Sequence, residues 1–340
     1  MPQEPGKDFS HSLLTAIEDE LIQAVKRADN FGKPNIYEML AYHMGWENNS
    51  CRTNNRGKRI RPLLVLLACM AAGGNWVCAL PAAIAVELIH NFSLIHDDIE
   101  DSSPLRRGRP TVWKKWGIPQ AINTGDAMYA LAHLEAARLA ETVSATIGVK
   151  AVGMLQATCL HLTQGQYLDL LFETQEDITI DEYWRMVEGK TAALMAVSSE
   201  LGAMTAFCDE NLQRLYNEFG WYLGMAYQVQ DDILGIWGDA TVMGKSSQSD
   251  LLTGKVTLPV LYGLSQRGSF AKRWLQGSIH SDELPELMLY LESEGGKEYA
   301  ISEEKRLVTE ALTALEDVKP VGNAGETLRE LALGLVNRQN

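Results

Sequence analysis

Cysteine is scarce. Cys51, Cys69, Cys78, Cys159 and Cys208 form an odd set with no C-x-x-C pair, which argues against a disulfide framework or a cysteine zinc site and favours a reducing cytoplasm. Positive charge is outweighed too: 30 Lys and Arg face 44 Asp and Glu, a formal net charge of −14, and that balance argues against nucleic acid or an anionic membrane surface as a partner. The longest apolar run, Pro62 to Ala72, closes at Gly73-Gly74. It falls well short of the roughly 20 residues of a transmembrane helix and reads as a buried core helix. Met1 to Ser10 carries Glu4, Lys7 and Asp8 in place of the basic end and apolar run of a secretory signal. Self-similar units of fixed period are absent, which argues against a solenoid. Alternating runs of β-branched residues are nearly absent, which excludes large sheets.

What fills the chain is helical periodicity, as in Leu13, Leu14, Ile17, Leu21, Ile22 and Val25. Apolar side chains at that spacing line one helix face. The expected fold is all-α, one domain over residues 1–340, because large helical enzymes build a single core of this size. Breaks are expected at 30–34, 47–57, 73–75, 102–110, 117–119 and 238–254. The last is long and polar, carries Lys245, Asp250 and Lys255, and has the character of a functional loop that closes over an anion.

Ile84, Leu88, Phe92 and Ile95 predict a helix that runs into His96-Asp97-Asp98-Ile99-Glu100-Asp101. Four acids at the carbonyl end of a helix are electrostatically unfavourable unless cations compensate. Asp97 and Asp101 lie one turn apart on one face, where two carboxylates share a hard cation such as Mg²⁺. Arg106-Arg107-Gly108-Arg109-Pro110 follows at once. Metal-binding carboxylates beside guanidinium groups describe a diphosphate site, because pyrophosphate leaves readily only when its developing charge is neutralised. A second acidic pair, Asp231-Asp232, sits on a helix with Trp221, Met225, Val229 and Ile233, and Gln228 shares a face with Asp232.

Taken in order, these elements resemble the trans-isoprenyl diphosphate synthases, or polyprenyl synthetases, over roughly residues 57–259. The GKxxRP element is matched by Gly57 to Pro62, the first aspartate-rich motif by Asp97 to Asp101, and RRGxPT by Arg106 to Thr111. GQxxD is matched by Gly165 to Asp169 and KT by Lys190-Thr191. The second aspartate-rich region is matched by Gln228 to Gly235, followed by Gly244-Lys245, Asp250-Leu251 and Gly254-Lys255.

The resemblance implies a bundle of about ten or more helices around a deep central cavity, with the two aspartate-rich helices facing each other across its mouth. It implies that the chain lengthens an allylic diphosphate with isopentenyl diphosphate, that Asp97 and Asp101 bridge two Mg²⁺ ions to the allylic diphosphate, and that Asp231 holds a third. Asp98 and Asp232 would support them. Arg106, Lys190, Lys245 and Lys255 would hold the allylic diphosphate, and Lys58, Arg61, Arg107 and His90 the isopentenyl one. Read alone, His90 on its apolar helix is a core histidine. Thr191 and Gln228 would turn oxygens toward the allylic cation. A homodimer is implied by the family alone.

Chain length is implied by the residues four and five before the first aspartate, Ser93 and Phe92. One aromatic there resembles synthases making geranylgeranyl diphosphate (C20) ahead of farnesyl diphosphate (C15). Three positions depart from the family pattern: Gly235 replaces a third aspartate, Arg56 a glycine, and Trp113 a frequent histidine. Two other functions compete. A class I terpene cyclase needs an N-D-x-x-S-x-x-x-E element that Asp231-Asp232 does not match, and a non-catalytic regulatory subunit would show degraded motifs.

Overall fold

The computed structural model describes residues 5–27, 36–46, 57–175, 177–238 and 249–336. Arg56 and Lys245, both named above, lie outside them. In chain order the elements are α1 (Pro5–Lys26), α2 (Ile36–Met44), α3 (Ile60–Ala71), α4 (Trp76–Glu100), β1 (Leu105–Arg106), β2 (Arg109–Pro110), α5 (Val112–Trp116), α6 (Ile118–Ala137) and α7 (Leu139–Thr142). Then come α8 (Ala145–Phe172), α9 (Ile180–Val187), a π-helical turn (Glu188–Ala192), α10 (Ala193–Thr205), α11 (Glu210–Trp237) and six shorter or later helices. The all-helical expectation holds, with one small exception. β1 and β2 form a two-residue hairpin, Leu105 opposite Pro110 and Arg106 opposite Arg109. Its turn, Arg107-Gly108, has positive φ at both residues (51° and 74°), as a tight hairpin turn requires.

The chain divides into two compact units, one of Met1–Cys159, Val197–Asn217 and Val318–Leu328, the other of Leu160–Ala196, Glu218–Asp317 and Arg329–Asn340. In the first unit α4 is the spine and packs chiefly on α6 and α3. Ala79, Ala82, Ala83 and Ala85 keep its flanks narrow, while Ile84, Val86, Leu88 and Ile89 are fully buried. Asn75 caps it, accepting a hydrogen bond from Val77 N at 3.1 Å. This helix, and not the run at Pro62–Ala72, is the one described helix long and apolar enough to cross a membrane, yet 67% of its most apolar window is buried in the protein. That burial is what a core helix shows.

The second unit has two apolar clusters. One gathers Tyr183, Val187, Met225, Val229, Ile233, Leu258 and Leu307; the other gathers Ile236, Leu251, Val260, Phe270, Leu284 and Leu291. Thr179 and Glu182 start α9 with a reciprocal capping box. Within the expected loop 238–254, residues 249–253 are helical. Leu251, fully buried in the second cluster, ties that turn down, a tertiary anchor that its polar neighbours hid. The four cysteines among the described residues are free thiols.

Gly202 shows how tightly α10 meets α3. A Cβ built there would lie 2.3 Å from Val65 O and 2.8 Å from Ala68 Cβ, so any side chain must push the helices apart. Gly202→Ala is expected to lower stability by about 1–3 kcal/mol, read as an earlier midpoint in urea unfolding.

Candidate active site

On α4 a polar stripe breaks the apolar pattern at Glu87, Asn91 and Asp98, which are 3%, 1% and 2% exposed. Spacings of four and seven put them on one side of the helix. Glu87 accepts 2.6 Å from Arg59 NH1 and 2.8 Å from Asn91 Nδ2, and Asp98 accepts 2.8 Å from Arg106 Nε. The unfavourable acids at the helix end are thus compensated in part by Arg106. Asp97 is half-buried and Asp101, the C-cap, is exposed. They lie one turn apart on one face of the helix, and Asp101 stands about a turn from Asp98 as well.

Among the described residues no three His, Cys, Asp and Glu side chains converge into a metal cage. Mg²⁺ does not need one. It retains waters and takes one or two carboxylates together with substrate phosphate oxygens, so the Asp97–Asp101 pair suits it as a donor set.

Two basic turns meet near this stripe. In the first, Lys58 is exposed, Arg61 half-buried, and Arg59 only 5% exposed in the left-handed conformation (φ 50°). Arg59 Nε also reaches Glu18 Oε2 of α1 at 3.3 Å, and Trp46 Nε1 donates to the other Glu18 oxygen. In the second turn, Arg107 lays its guanidinium against Gly57: a Cβ at Gly57 would be 2.8 Å from Arg107 NH2. A glycine at the head of the first turn therefore lets the second approach. Trp113 Nε1 donates to Ser103 O at 2.8 Å, so the tryptophan in place of histidine braces the base of the hairpin.

His90 sits among these groups. Burial first, then Arg61, Arg107, Arg106 and Arg59, hold its imidazole well below the usual histidine range, so it stands as a neutral hydrogen-bonding group. Sequence reasoning missed His43 of α2. It lines a cleft with Asp98, Arg106, Arg107 and Arg109, and burial, reinforced by Arg106 and Arg107, brings its pKa down to about 3. No motif contains it. Phe92 meets His96 and Tyr129 edge-on, each at 5.2 Å between ring centroids, while Ser93 Oγ donates to His90 O at 2.8 Å.

The second unit holds the other predicted residues. Gly165 and Gly189 let α8 and the π-helical turn touch through their backbones: Cβ atoms there would lie 2.1 Å from Lys190 N and 2.6 Å from His161 O. This contact sets Lys190 on Asp169, with which it forms an ion pair. The π turn adds a residue per helical repeat and re-aims Lys190 and Thr191, a device common at functional sites. Thr191 Oγ1 donates to Gln228 Oε1 at 2.8 Å, and Gln228 Nε2 donates to Asp232 Oδ1 at 2.9 Å.

Asp232 is buried, and burial raises its pKa to about 6 against hydrogen bonds from Tyr183, Leu258 N and Gln228. Tyr183 OH donates to it at 2.6 Å and Leu258 N at 2.9 Å. Asp231, next to it, is half-buried. Asp250 explains Gly235: its Oδ2 lies 2.0 Å from where a Cβ at 235 would stand, so a carboxylate from the next helix fills the space of the missing aspartate side chain. Lys255 is exposed.

Residues 47–288 match the profile of the polyprenyl synthetase family. A (2E,6E)-farnesyl diphosphate synthase of Mycobacterium tuberculosis is 38% identical over 98% of this chain and 93% of its own length. A geranylgeranyl diphosphate synthase of the same organism is 41% identical over 78% of this chain and 75% of its own. A polyprenyl synthetase structure from Streptomyces coelicolor A3(2) superposes with a TM-score of 0.85 at 33% identity, covering 96% of this chain and 98% of that one.

The two depressed histidines have a consequence for stability. Below pH 6.5 the unfolded chain protonates both while the folded chain does not, so the unfolded state binds more protons and stability falls as pH falls. Each histidine contributes up to about 1.4 kcal/mol per pH unit, for His43 down toward about pH 3. In urea unfolding between pH 7 and 4.5, His43→Gln is expected to flatten the acid-side slope by one histidine's share.

Proposed function

Because the chain belongs to the polyprenyl synthetase family, and is therefore a prenyltransferase that condenses an allylic diphosphate with isopentenyl diphosphate, we propose how its residues divide that work. The observation that carries the proposal is the arginine-ringed end of α4, where Asp97 and Asp101 share one face and Arg106 is held by Asp98. Mg²⁺, three ions per site in this reading, would be held by Asp97, Asp101 and Asp231, and supplies charge neutralisation for the departing pyrophosphate. Arg106, Lys190 and Lys255 hold the allylic diphosphate and stabilise charge as its C1–O bond breaks. Lys245, outside the described residues, is assigned the same task.

Lys58, Arg61, Arg107 and His90 orient isopentenyl diphosphate so that its double bond attacks the allylic cation. The Thr191 and Gln228 dipoles favour that cation while offering no nucleophile that would trap it. Gln228 keeps its oxygen toward Thr191 because its amide nitrogen is committed to Asp232. A proton is then lost from the new chain, and the released pyrophosphate is the base we favour. Asp98 and Asp232, both buried and hydrogen-bonded, position Arg106 and Gln228.

Geranylgeranyl diphosphate is the proposed end product, supported by the one aromatic at positions 92 and 93, Phe92, which meets Tyr129 edge-on. Farnesyl diphosphate is the second reading, favoured by the near full-length similarity to the mycobacterial farnesyl synthase. We further propose a single domain working as a homodimer in the cytoplasm. Exposed Ile118, Ile122 and Leu134 on α6, and exposed Leu160, Tyr167 and Leu171 on α8, support a protein partner such as a second copy. The free thiols suit a reducing compartment.

The test is incubation with Mg²⁺, labelled isopentenyl diphosphate and C5, C10 or C15 allylic diphosphates, followed by sizing of the products. A C20 end product is expected. A C15 end product overturns the chain-length reading, and no elongation overturns the assignment of roles. Asp97→Asn is expected to lower kcat on the order of 10²-fold with an unchanged melting temperature. Phe92→Ala is expected to lengthen the end product.

A further inference from the structure

His43 stands outside every motif that assigns the chain to its family, yet it lines the cleft of Arg106, Arg107 and Asp98. The Asn91 side chain is the neighbour that favours its protonated form, against burial and the arginines. Asn91 Nδ2 is already committed, donating to Glu87 O and Glu87 Oε1 at 2.8 Å each, so Asn91 offers histidine its carbonyl oxygen. One imidazole nitrogen therefore donates to Asn91. The other, on a neutral ring, only accepts, and the donors that line the same cleft as His43 are the guanidinium groups of Arg106, Arg107 and Arg109. The chain continues from Glu87 to Arg59 at 2.6 Å and on to Glu18.

Arg59 and Arg107 both hold positive φ (50° and 51°), a conformation that non-glycine residues keep only when their surroundings over-determine it. For Arg59 the two buried glutamates do so. For the hairpin, α2 grips at a second point as well: Tyr42 OH donates to Pro110 O at 2.7 Å, and Arg109 lies over the Tyr42 ring at 4.3 Å.

We propose that His43 is a positioning residue for isopentenyl diphosphate: with Asn91 and Glu87 it forms a hydrogen-bonded chain that holds the 57–62 turn and the 105–110 hairpin at the separation one diphosphate needs. The inference rests on assigning Lys58, Arg61, His90 and Arg107 to that diphosphate. His43 acts through the arginines and makes no contact with the reacting atoms.

Steady-state kinetics of His43→Leu, varying each substrate separately, tests it. The KM for isopentenyl diphosphate is expected to rise about tenfold, the worth of one hydrogen bond to a charged group, while the KM for the allylic diphosphate stays constant. His43→Gln, which keeps a donor and an acceptor, is expected to restore most of the loss. An unchanged isopentenyl KM, an equal rise in both KM values, or no rescue by glutamine overturns the proposal. Should His43→Leu lose helicity, His43→Ala carries the same expectations. Arg107→Ala separates the two layers: if it leaves the isopentenyl KM unchanged, the site assignment fails before any role for His43 is at issue.

Discussion

The ion pair of Arg59 with Glu87, both nearly removed from water, is the constraint on which the arginine cleft depends. Burying a charge pair is unfavourable unless the remaining hydrogen-bonding positions are filled, and removing one partner from such a pair costs about 3–5 kcal/mol. Glu18 and Asn91 fill positions here. Because the pair fixes Arg59 at the base of the 57–62 turn, it sets where Lys58 and Arg61 begin. Because Glu87, Asn91 and Asp98 lie along one helix, it shares a rigid frame with the Asp98–Arg106 pair, at the end of α4 where Asp97 and Asp101 are proposed to hold metal.

That arrangement sorts like charges by function. Glu18, Glu87 and Asp98 are turned inward onto arginines, whereas Asp97 is half-buried and Asp101 exposed. Two neutral histidines stand among the guanidinium groups because both burial and the arginines disfavour their protonation. A cleft with this many fixed donors is preorganised for an anion, and an anion bound there meets little reorganisation when its charge grows. In the second unit the same economy appears with different parts. Two glycines bring α8 against a π turn, and Asp232, held by Tyr183 and Leu258 N, fixes Gln228.

Much of this was legible in the sequence. Helical spacing gave α4 and α11, and the charged motifs gave both acidic helices, because contiguous residues at a fixed period carry their own geometry. What was illegible depended on distant partners. His43, Glu18 and Glu87 have no local signature, since a glutamate on an apolar helix is informative only when Arg59 is seen against it. The π turn at Lys190-Thr191 is likewise set by the Gly165–Gly189 contact, and the Asp250 carboxylate at Gly235 is a tertiary substitution for a local one. The short hairpin at 105–110 has no signature in the sequence, because its turn needs positive φ at Arg107, which that residue type does not announce. Residue 245 lies outside the described segments, so its proposed role rests on the motif alone.

The most direct measurement is a crystal structure of the enzyme with isopentenyl diphosphate bound. The account predicts diphosphate oxygens within hydrogen-bond distance of Lys58, Arg61 and Arg107, with Arg59 still paired to Glu87 and His43 still joined to Asn91. A diphosphate that draws Arg59 away from Glu87, or that binds outside the arginine cleft, would contradict it.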